Sequence, residues 1–513
     1  MREGVRLAEL VAALSLGIDL GFAQPMEHVL RQCLIALRLA ERSRQSAESR
    51  AVVYYTALLI NVGCHSDAHE QAKWFGDDIN LKSGKFSHGP GLRGVVAALR
   101  LVGAGHPPLR RFRIGLEFLI SGHRDLDGMI ASHAKLAQIL AKQLGLSHAV
   151  LDAVGSAYEQ WDGRGWPGKL AGEAVPIAAR IAQLAELVEV AHRVGGSGAA
   201  MALARGRSKK QFDPELVALL CDGADKIFAG LDAVRAWDAV IAAEPSLAVM
   251  LSEDEFDAAL AAIANFVDLK SPFTLGHSNA VAELAAGTGG VMGLPASDVQ
   301  TLRRAGLVHD FGRLGVSNSI WDKAGPLGAG EWERVRMHPY FAERMLHQSD
   351  VLAPLGAIAV QHRERLDGSG YPRAAIGPGI SMHARIVGTA DAYQAMREPR
   401  PYRAARTGEE AAKLLRDDVR LGRMDGNVVE AVLDAAGHRG RGRREGPAGL
   451  TVREIEVLRL LARGSSTKQI AEQLAMSPKT AGNHIEHIYV KIGATNRVSA
   501  SLFAVQHGLL PNS

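Results

Sequence analysis

Along most of the chain Leu, Ala and Ile recur at spacings of three and four, while alternating runs rich in β-branched residues are scarce. A repeat near 3.6 is that of a helix with one buried stripe, so the pattern predicts an all-α protein. The opening stretch MREGVRLAELVAALSLGIDLGFAQP reads as an amphipathic helix, because Glu9 and Asp19 interrupt the apolar run that a secretory leader would need. No uninterrupted apolar run reaches the roughly 18–20 residues that cross a bilayer, so no membrane contact is expected. The 513 residues exceed what one core organises, which implies several domains. AGHRGRGRREGPAG, 436–449, has the composition of an exposed linker, and a second break or long internal loop is expected across Val194 to Pro214.

The pattern also repeats. HRERLDGSGYP, from His362 to Pro372, has an imperfect twin in AYEQWDGRGWP, from Ala157 to Pro167. An offset of 205 aligns His133 with His338, Ala157 with His362 and Glu186 with Asp391. Upstream the offset is 249, which sets His28 on His277 and Ile60-Asn61 on His309-Asp310, so the first copy holds 44 extra residues in its middle. Self-similarity over that length, with the helical pattern preserved, indicates duplication.

The second copy carries the chemistry. His277, His309, Asp310, His338, His362 and Asp391 are imidazoles and carboxylates, a donor set suited to iron, manganese or zinc, and an Asp can bridge two such ions. Two dications about 3.5–4 Å apart could clamp a phosphodiester and acidify a water. The first copy keeps His28, His133 and Glu186 but has Ile60, Asn61 and Ala157 at the other three places, and Ile cannot coordinate. It reads as degenerate, kept for packing or sensing, with Glu159, Asp162, Gly163, Gly165 and Pro167 preserving the turn. Three cysteines, Cys33, Cys64 and Cys221, form neither a CxxC pair nor a disulfide framework, so a reducing cytoplasm is expected.

The segments GLVHDFGRLGVSNSIWDKAGPLGAGEWERVRMHP, HRERLDGSGYP, ARIVGTADAYQAM and RPYR resemble the HD-GYP family of the HD phosphohydrolases, over about Leu251 to Ala436. The resemblance implies a helical domain with two divalent ions, iron or manganese, that hydrolyses cyclic di-GMP or a related cyclic dinucleotide. It implies one ion on His277, His309, Asp310 and Asp391 and a second on Asp310, His338 and His362, with Asp310 and Arg313 catalytic. Arg400 and Arg403 match nucleotide-contacting positions, and Gly370, Tyr371 and Pro372 border the site. Three residues depart from the family pattern. Arg363 stands where the family has a second histidine, and an arginine cannot ligate a metal; it either weakens the second ion or turns toward substrate phosphate. Arg313 replaces a lysine, and Phe273 replaces the glutamate of three-metal members, so at most two ions are expected.

Charge sets the C-terminus apart. From Ala436 to Ser513 there are 11 Lys and Arg against 5 Glu, a net +6, while the whole chain is +4, so the preceding residues sum to −2. A polyanion partner for the tail alone follows. Capping boxes at Thr451 with Glu454 and at Ser466 with Gln469, then Ser477-Pro478, mark three helix starts. LTVREIEVLRLLARG, IAEQLAMSPKT and HIEHIYVKIG followed by NR resemble the LuxR-type, or NarL-type, helix-turn-helix over about Pro447 to Leu510. That resemblance implies a recognition helix from Pro478 to about Lys491 in the major groove. Lys479, Thr480, Asn483 and His484 are the candidates for bases or phosphates, and Lys468, Lys491 and Arg497 for the backbone. Ala481-Gly482 shortens the reading edge, so specificity is expected to rest on a homodimer paired through the last helix.

The combined expectation is a degenerate HD-type domain over 1–232, an HD-GYP-like domain over 251–436, a linker over 437–449 and a four-helix LuxR-type helix-turn-helix over 450–513. Its partners are double-stranded DNA and a cyclic dinucleotide. The alternative function is a catalytically inactive HD domain serving as sensor or dimerisation scaffold. No receiver-like run of strands precedes the tail, which argues against phosphorylation as the input.

Overall fold

The computed structural model describes residues 5–87, 100–104, 107–118, 123–245, 249–438, 447–450, 452–474, 476–507 and 509. It is built from helices, and the strands among the described residues are two dipeptides, Val5–Arg6 and Met250–Leu251, paired antiparallel. The chain divides into two compact units, Met1–Ala436 and Gly437–Ser513.

Within the first unit the repeat is written in the backbone. His28–Arg42 and His277–Val291 are helices of equal length, each starting at its histidine after a residue in the left-handed region, Glu27 at φ 78° and Gly276 at φ 75°. Neither has its own side-chain cap. A buried aspartate of the preceding helix substitutes: Asp19 accepts from the Val29 amide at 3.1 Å and Asp268 from the Ser278 amide at 2.9 Å. Burial pushes these carboxyls up, Asp19 to about 7 and Asp268 to about 6. Ala47–Leu59 parallels Ala296–Val308, and short 3-10 turns follow both, Val62–His65 and Phe311–Gly315. The DGxGxP turns match as well. Glu159 accepts from the amides of Gly168 and Lys169, Glu364 from those of Arg373 and Ala375, and Gly163 and Gly368 lie at φ 73° and 79°.

The copies share one hydrophobic core. Helix Leu7–Gly21 of the first copy packs on Phe311–Gly315 and His338–Leu346 of the second, while Glu253–Asp268 packs on His123–Gln143 of the first. Each copy thus lends its first helix to the other. That exchange corrects the reading of the opening helix: it is not amphipathic but buried nearly all round, from Leu7 through Gly21, with Leu20 and Glu9 among the exceptions. Each of its buried leucines contributes roughly 1.5–3 kcal/mol. Gly17 lets this helix lie close, since a Cβ there would sit 2.6 Å from Met345 Cε and 2.8 Å from Leu314 Cδ1.

The break expected across Val194 to Pro214 is a kinked helix. Ile177–Arg207 runs through the glycine-rich stretch, with non-helical angles confined to Gly195 and Gly196. Alanine-rich sequence beyond the two glycines, with Ala200 and Ala204 fully buried, restores the helix after the kink.

The extra residues of the first copy form helices Ala68–Phe75, Asp78–Ser87 and Pro108–Glu117. The first two lean on the second copy beside its site. His69 Nδ1 lies 2.8 Å from Asp322 Oδ2, and Asp78 accepts from Ser317 Oγ at 2.7 Å and the Asn318 amide at 2.8 Å.

In the second unit, Val452–Ala462, Thr467–Gln473, Pro478–Ile492 and Arg497–Gln506 surround a small core that includes Leu458, Leu461, Ile470, Ala481 and Ile488. The Ser466–Gln469 capping box forms, and Ser477 caps the helix that Pro478 opens. Thr451, the other expected cap, lies outside the described residues.

Candidate functional site

In the second copy the six predicted donors converge. All are buried, and three overlapping groups, His277–His309–Asp310, His309–His362–Asp391 and Asp310–His338–His362, have donor atoms within 4.8 Å of one another. The local sequence explains the aim of each ring. His309, His338 and His362 each lie three residues after a carbonyl their Nδ1 reaches: Gly306 at 2.7 Å, Val335 at 2.6 Å and Ala359 at 2.6 Å. Such distances to a carbonyl require Nδ1–H, which leaves Nε2 as a lone pair facing inward. Two glycines permit the crowding. A Cβ on Gly312 would lie 1.9 Å from the His338 carbonyl, and one on Gly388 would lie 2.4 Å from that of His362.

Those lone pairs meet carboxylate oxygens. Asp310 Oδ1 is 3.5 Å from His338 Nε2 and 3.8 Å from His362 Nε2, and His338 and His362 Nε2 are 3.4 Å apart. His309 Nε2 and Asp310 Oδ1 are buried without a hydrogen-bond partner. Acceptors facing acceptors in a dry site repel unless a cation lies among them. The residues therefore fit a metal ion, and a mixed imidazole and carboxylate set suits a first-row dication.

Electrostatics separates the histidines. Burial pulls His338 down to about 3 and holds His362 and His309 below the usual imidazole value, so all three are neutral at pH 7. For His277 burial also disfavours the charged form, but hydrogen bonds to Asp391 and Glu398 prevail and hold it up at about 9. Its Nε2 lies 3.2 Å from Asp391 Oδ1, and its Nδ1 lies 2.9 Å from Glu398 Oε2. Burial opposes ionisation of Asp310 and Asp391, yet neighbouring cations and imidazoles keep both well below the usual carboxylate range. Glu398 escaped the sequence reading because its partner lies 121 residues away. Glu364 escaped it too: its carboxylate braces the DGxGxP loop by accepting the Arg373 and Ala375 amides.

The substrate-binding candidates divide. Arg363 turns inward, its Nη2 3.2 Å from Asp391 Oδ2, and so pairs with a donor carboxylate. Arg313 lies 3.4 Å from Asp310 Oδ2 with its guanidinium 3.9 Å over the Trp321 ring. Tyr371 stands at the site wall, 6.1 Å from the His338 ring between centroids, with Gly370 and Pro372 beside it in the loop. Arg400 and Arg403, which match nucleotide-contacting positions, are both engaged within the fold. Arg400 is anchored to the Phe273 carbonyl and to Glu398, and Arg403 donates to the carbonyls of Ala395, Met396, Glu398 and Ala404. The helix Met382–Arg397 ends there, and Arg403 satisfies its terminal carbonyls at Ala395 and Met396.

The corresponding place in the first copy is closed by internal pairs. Asn61 Nδ2 donates to Glu186 at 2.6 Å, His28 pairs with Glu189, His133 lies 2.5 Å from Asp67 Oδ2, and Cys64 Sγ lies 2.8 Å from the Tyr158 hydroxyl. Among the described residues no metal-capable group assembles there.

On the C-terminal unit, Lys468, Lys479, Thr480 and Asn483 are exposed and His484 is half-buried. Two predicted contacts are engaged within the fold instead: Lys491 Nζ is 2.8 Å from Glu454, and Arg497 donates to the carbonyls of Gly464 and Ser465. Glu454 is buried, so its charge needs a partner, and Lys491 one helix away supplies it. Ala481 is buried in the core, and a Cβ on Gly482 would meet nothing.

The described residues thus form a duplicated helical domain with one intact His/Asp cluster, followed by a four-helix unit of helix-turn-helix type. The chain belongs to the HD domain family, matched over residues 124–216 and 261–428, and carries a domain of the bacterial regulatory proteins, luxR family, over 448–504. Its relatives are HD-GYP proteins. A 3'3'-cGAMP-specific phosphodiesterase 3 of Vibrio cholerae is 31% identical over 418 residues, covering 80% of this chain and 91% of that protein. The crystal structure of a V. cholerae cyclic GMP-AMP specific phosphodiesterase, V-cGAP3, superposes with TM-score 0.59 and 26% identity, covering 85% of this chain and 98% of that one. The response regulator RpfG of Xanthomonas campestris, a cyclic di-GMP phosphodiesterase, is 35% identical over 145 residues, 28% of this chain and 38% of its own. No helix among the described residues is long and apolar enough to cross a membrane.

Proposed function

We propose that this protein is a cytoplasmic transcription regulator whose second HD copy hydrolyses a cyclic dinucleotide at a metal centre. The observation that carries the reading is the convergence of buried acceptor atoms, three imidazole lone pairs and two carboxylates, with no proton between His338, His362 and Asp310. His277, His309, Asp310, His338, His362 and Asp391 would hold the metal. Bound there, a dication supplies Lewis acidity toward a phosphoryl oxygen and a water. The chain's residues do the rest. Arg313, stacked on Trp321, fixes the orientation of Asp310, and the loop Gly370-Tyr371-Pro372 walls the site against bulk water. Water adds across one P–O bond of the ring, the departing sugar oxygen takes a proton, and a linear dinucleotide leaves. The two HD copies, 1–232 and 251–436, act as one unit, and 437–449 link it to the DNA-binding domain 450–513. The last binds duplex DNA as a homodimer through Lys468, Lys479, Thr480, Asn483 and His484.

Purified protein supplied with manganese(II) should open cyclic di-GMP or 3'3'-cGAMP, and Asp310→Ala should abolish the turnover. Arg363 on Asp391 favours a second reading, a binding-only sensor; ligand binding without turnover by the wild type would establish it. DNA affinity should fall with salt at a log-log slope of about 0.9 per phosphate contact. A slope near zero would remove the role given to the tail.

A further inference from the structure

We propose that Arg363 makes this a one-dication centre, a fixed guanidinium standing where a second ion would otherwise be needed. The inference rests on the metal-centre reading above and adds the ion count to it. Three carboxylates face the cluster, and each has its own arginine: Asp310 with Arg313 at 3.4 Å, Asp391 with Arg363 at 3.2 Å, Glu398 with Arg400 at 2.9 Å. Guanidinium does not give up its proton in a protein. With the four histidines counted as the neutral imidazoles that a metal ligand must be, the three acid–arginine pairs sum to a formal charge of zero apart from the ion itself.

Two dications would leave a buried excess of four positive charges. One leaves two, which the two phosphodiester charges of a cyclic dinucleotide cancel. Of the three arginines, Arg363 is the one that bears on the count. Of the three carboxylates Arg400 meets Glu398 alone, behind His277, and Arg313 lies flat on Trp321 with Asp310 at the edge of its reach. Arg363 contacts a donor carboxylate directly, its Nη2 3.2 Å from Asp391 Oδ2 and 3.4 Å from Oδ1, the oxygen that also faces His277. It also lies within the cluster, its side chain 21% exposed. Other nearby acids are engaged elsewhere, Asp268 on Ser278 and Glu364 on backbone amides.

The full-length protein, stripped with chelator, is titrated with manganese(II); bound metal per chain is counted after gel filtration, and the spin-resonance spectrum distinguishes isolated from coupled ions. Wild type should retain one manganese per chain with an uncoupled six-line signal. Arg363→Gln should raise affinity for a second equivalent by roughly 100-fold or more, the scale of one unit charge acting on a dication across a few ångström. Arg363→Lys, which keeps the charge, should stay at one. Two equivalents of comparable affinity in the wild type would overturn the proposal whatever the variants do, as would a folded Arg363→Gln that stays at one. No retained manganese in the wild type would overturn it by a different route, since that result removes the metal-centre reading on which it stands.

Discussion

Asp78 joins the insertion of the first copy to the wall of the second copy's site, and its removal has a calculable cost. Its side chain is fully buried and accepts from Ser317 Oγ, the Asn318 amide, Lys82 Nζ at 3.1 Å and Lys270 Nζ at 3.3 Å, while both lysines are only 4% exposed. Burial opposes its ionisation, but Lys270 and Lys82 hold it well below the usual carboxylate range. Asp78→Ala leaves two ammonium groups in a dry pocket without the carboxylate that pairs them directly, with Asp322 acting only from farther off. Stranding one member of a buried pair costs about 3–5 kcal/mol. If Lys270 sheds its proton instead, that step adds about 1.4 kcal/mol at pH 7, the one unit that separates pH 7 from its wild-type value of about 8. The expected loss is therefore up to about 3–5 kcal/mol, less where Lys270 escapes by losing its proton.

The pH dependence identifies the cause. Burial already draws Lys270 down to about 8 in the wild type, against the pull of Asp78, and without Asp78 it falls further. Between the variant's value and about 8, the folded variant holds one proton fewer than its unfolded chain while the wild type does not. The variant's stability therefore rises with pH where the wild type's is flat, and the gap closes by about 1.4 kcal/mol per unit up to pH 8. Urea unfolding followed by tryptophan fluorescence is the assay, because all six tryptophans lie in the first unit and the C-terminal unit stays silent. A loss under about 1 kcal/mol, or a gap that widens as pH rises to 8, would refute the argument.

Two further outcomes are expected. Glu398→Gln removes the carboxylate that orients His277 and should lower manganese affinity about 10- to 100-fold by competition against a fluorescent chelator, with the melting profile retained. Gly370→Ala would put a Cβ 2.3 Å from the Arg365 amide nitrogen and 2.4 Å from Glu364 Cα; the backbone must move, and we expect about 1–3 kcal/mol of destabilisation with lost turnover, whereas Gly290→Ala in open space on a helix should be neutral or stabilising.

Much of the chemistry was legible in the residues themselves. His309, His338 and His362 stood out by donor type and by the family resemblance of the short segments that hold them, and the structure adds that a carbonyl three residues earlier aims each ring. The duplication was legible because offsets of sequence survive as offsets of backbone, down to the paired turns at Gly163 and Gly368. The helix starts at Ser466 and Ser477 were likewise local, set by side chains that cap amides three residues away.

Only the tertiary structure decided what those elements meet. Leu7–Gly21 carries an acidic residue at each end of an apolar run and looked like a surface helix, yet the other copy covers its second face. Arg400, Arg403, Lys491 and Arg497 carry the charge for phosphate, and in the fold they also meet backbone carbonyls and acidic side chains, partners that only the packing of the helices brings near. Glu398 and Asp78 act on partners more than a hundred residues distant. Sequence fixes the short-range geometry of a turn or a cap because few atoms are involved; the pairing of buried charges depends on which surfaces fold together, and no local pattern encodes that.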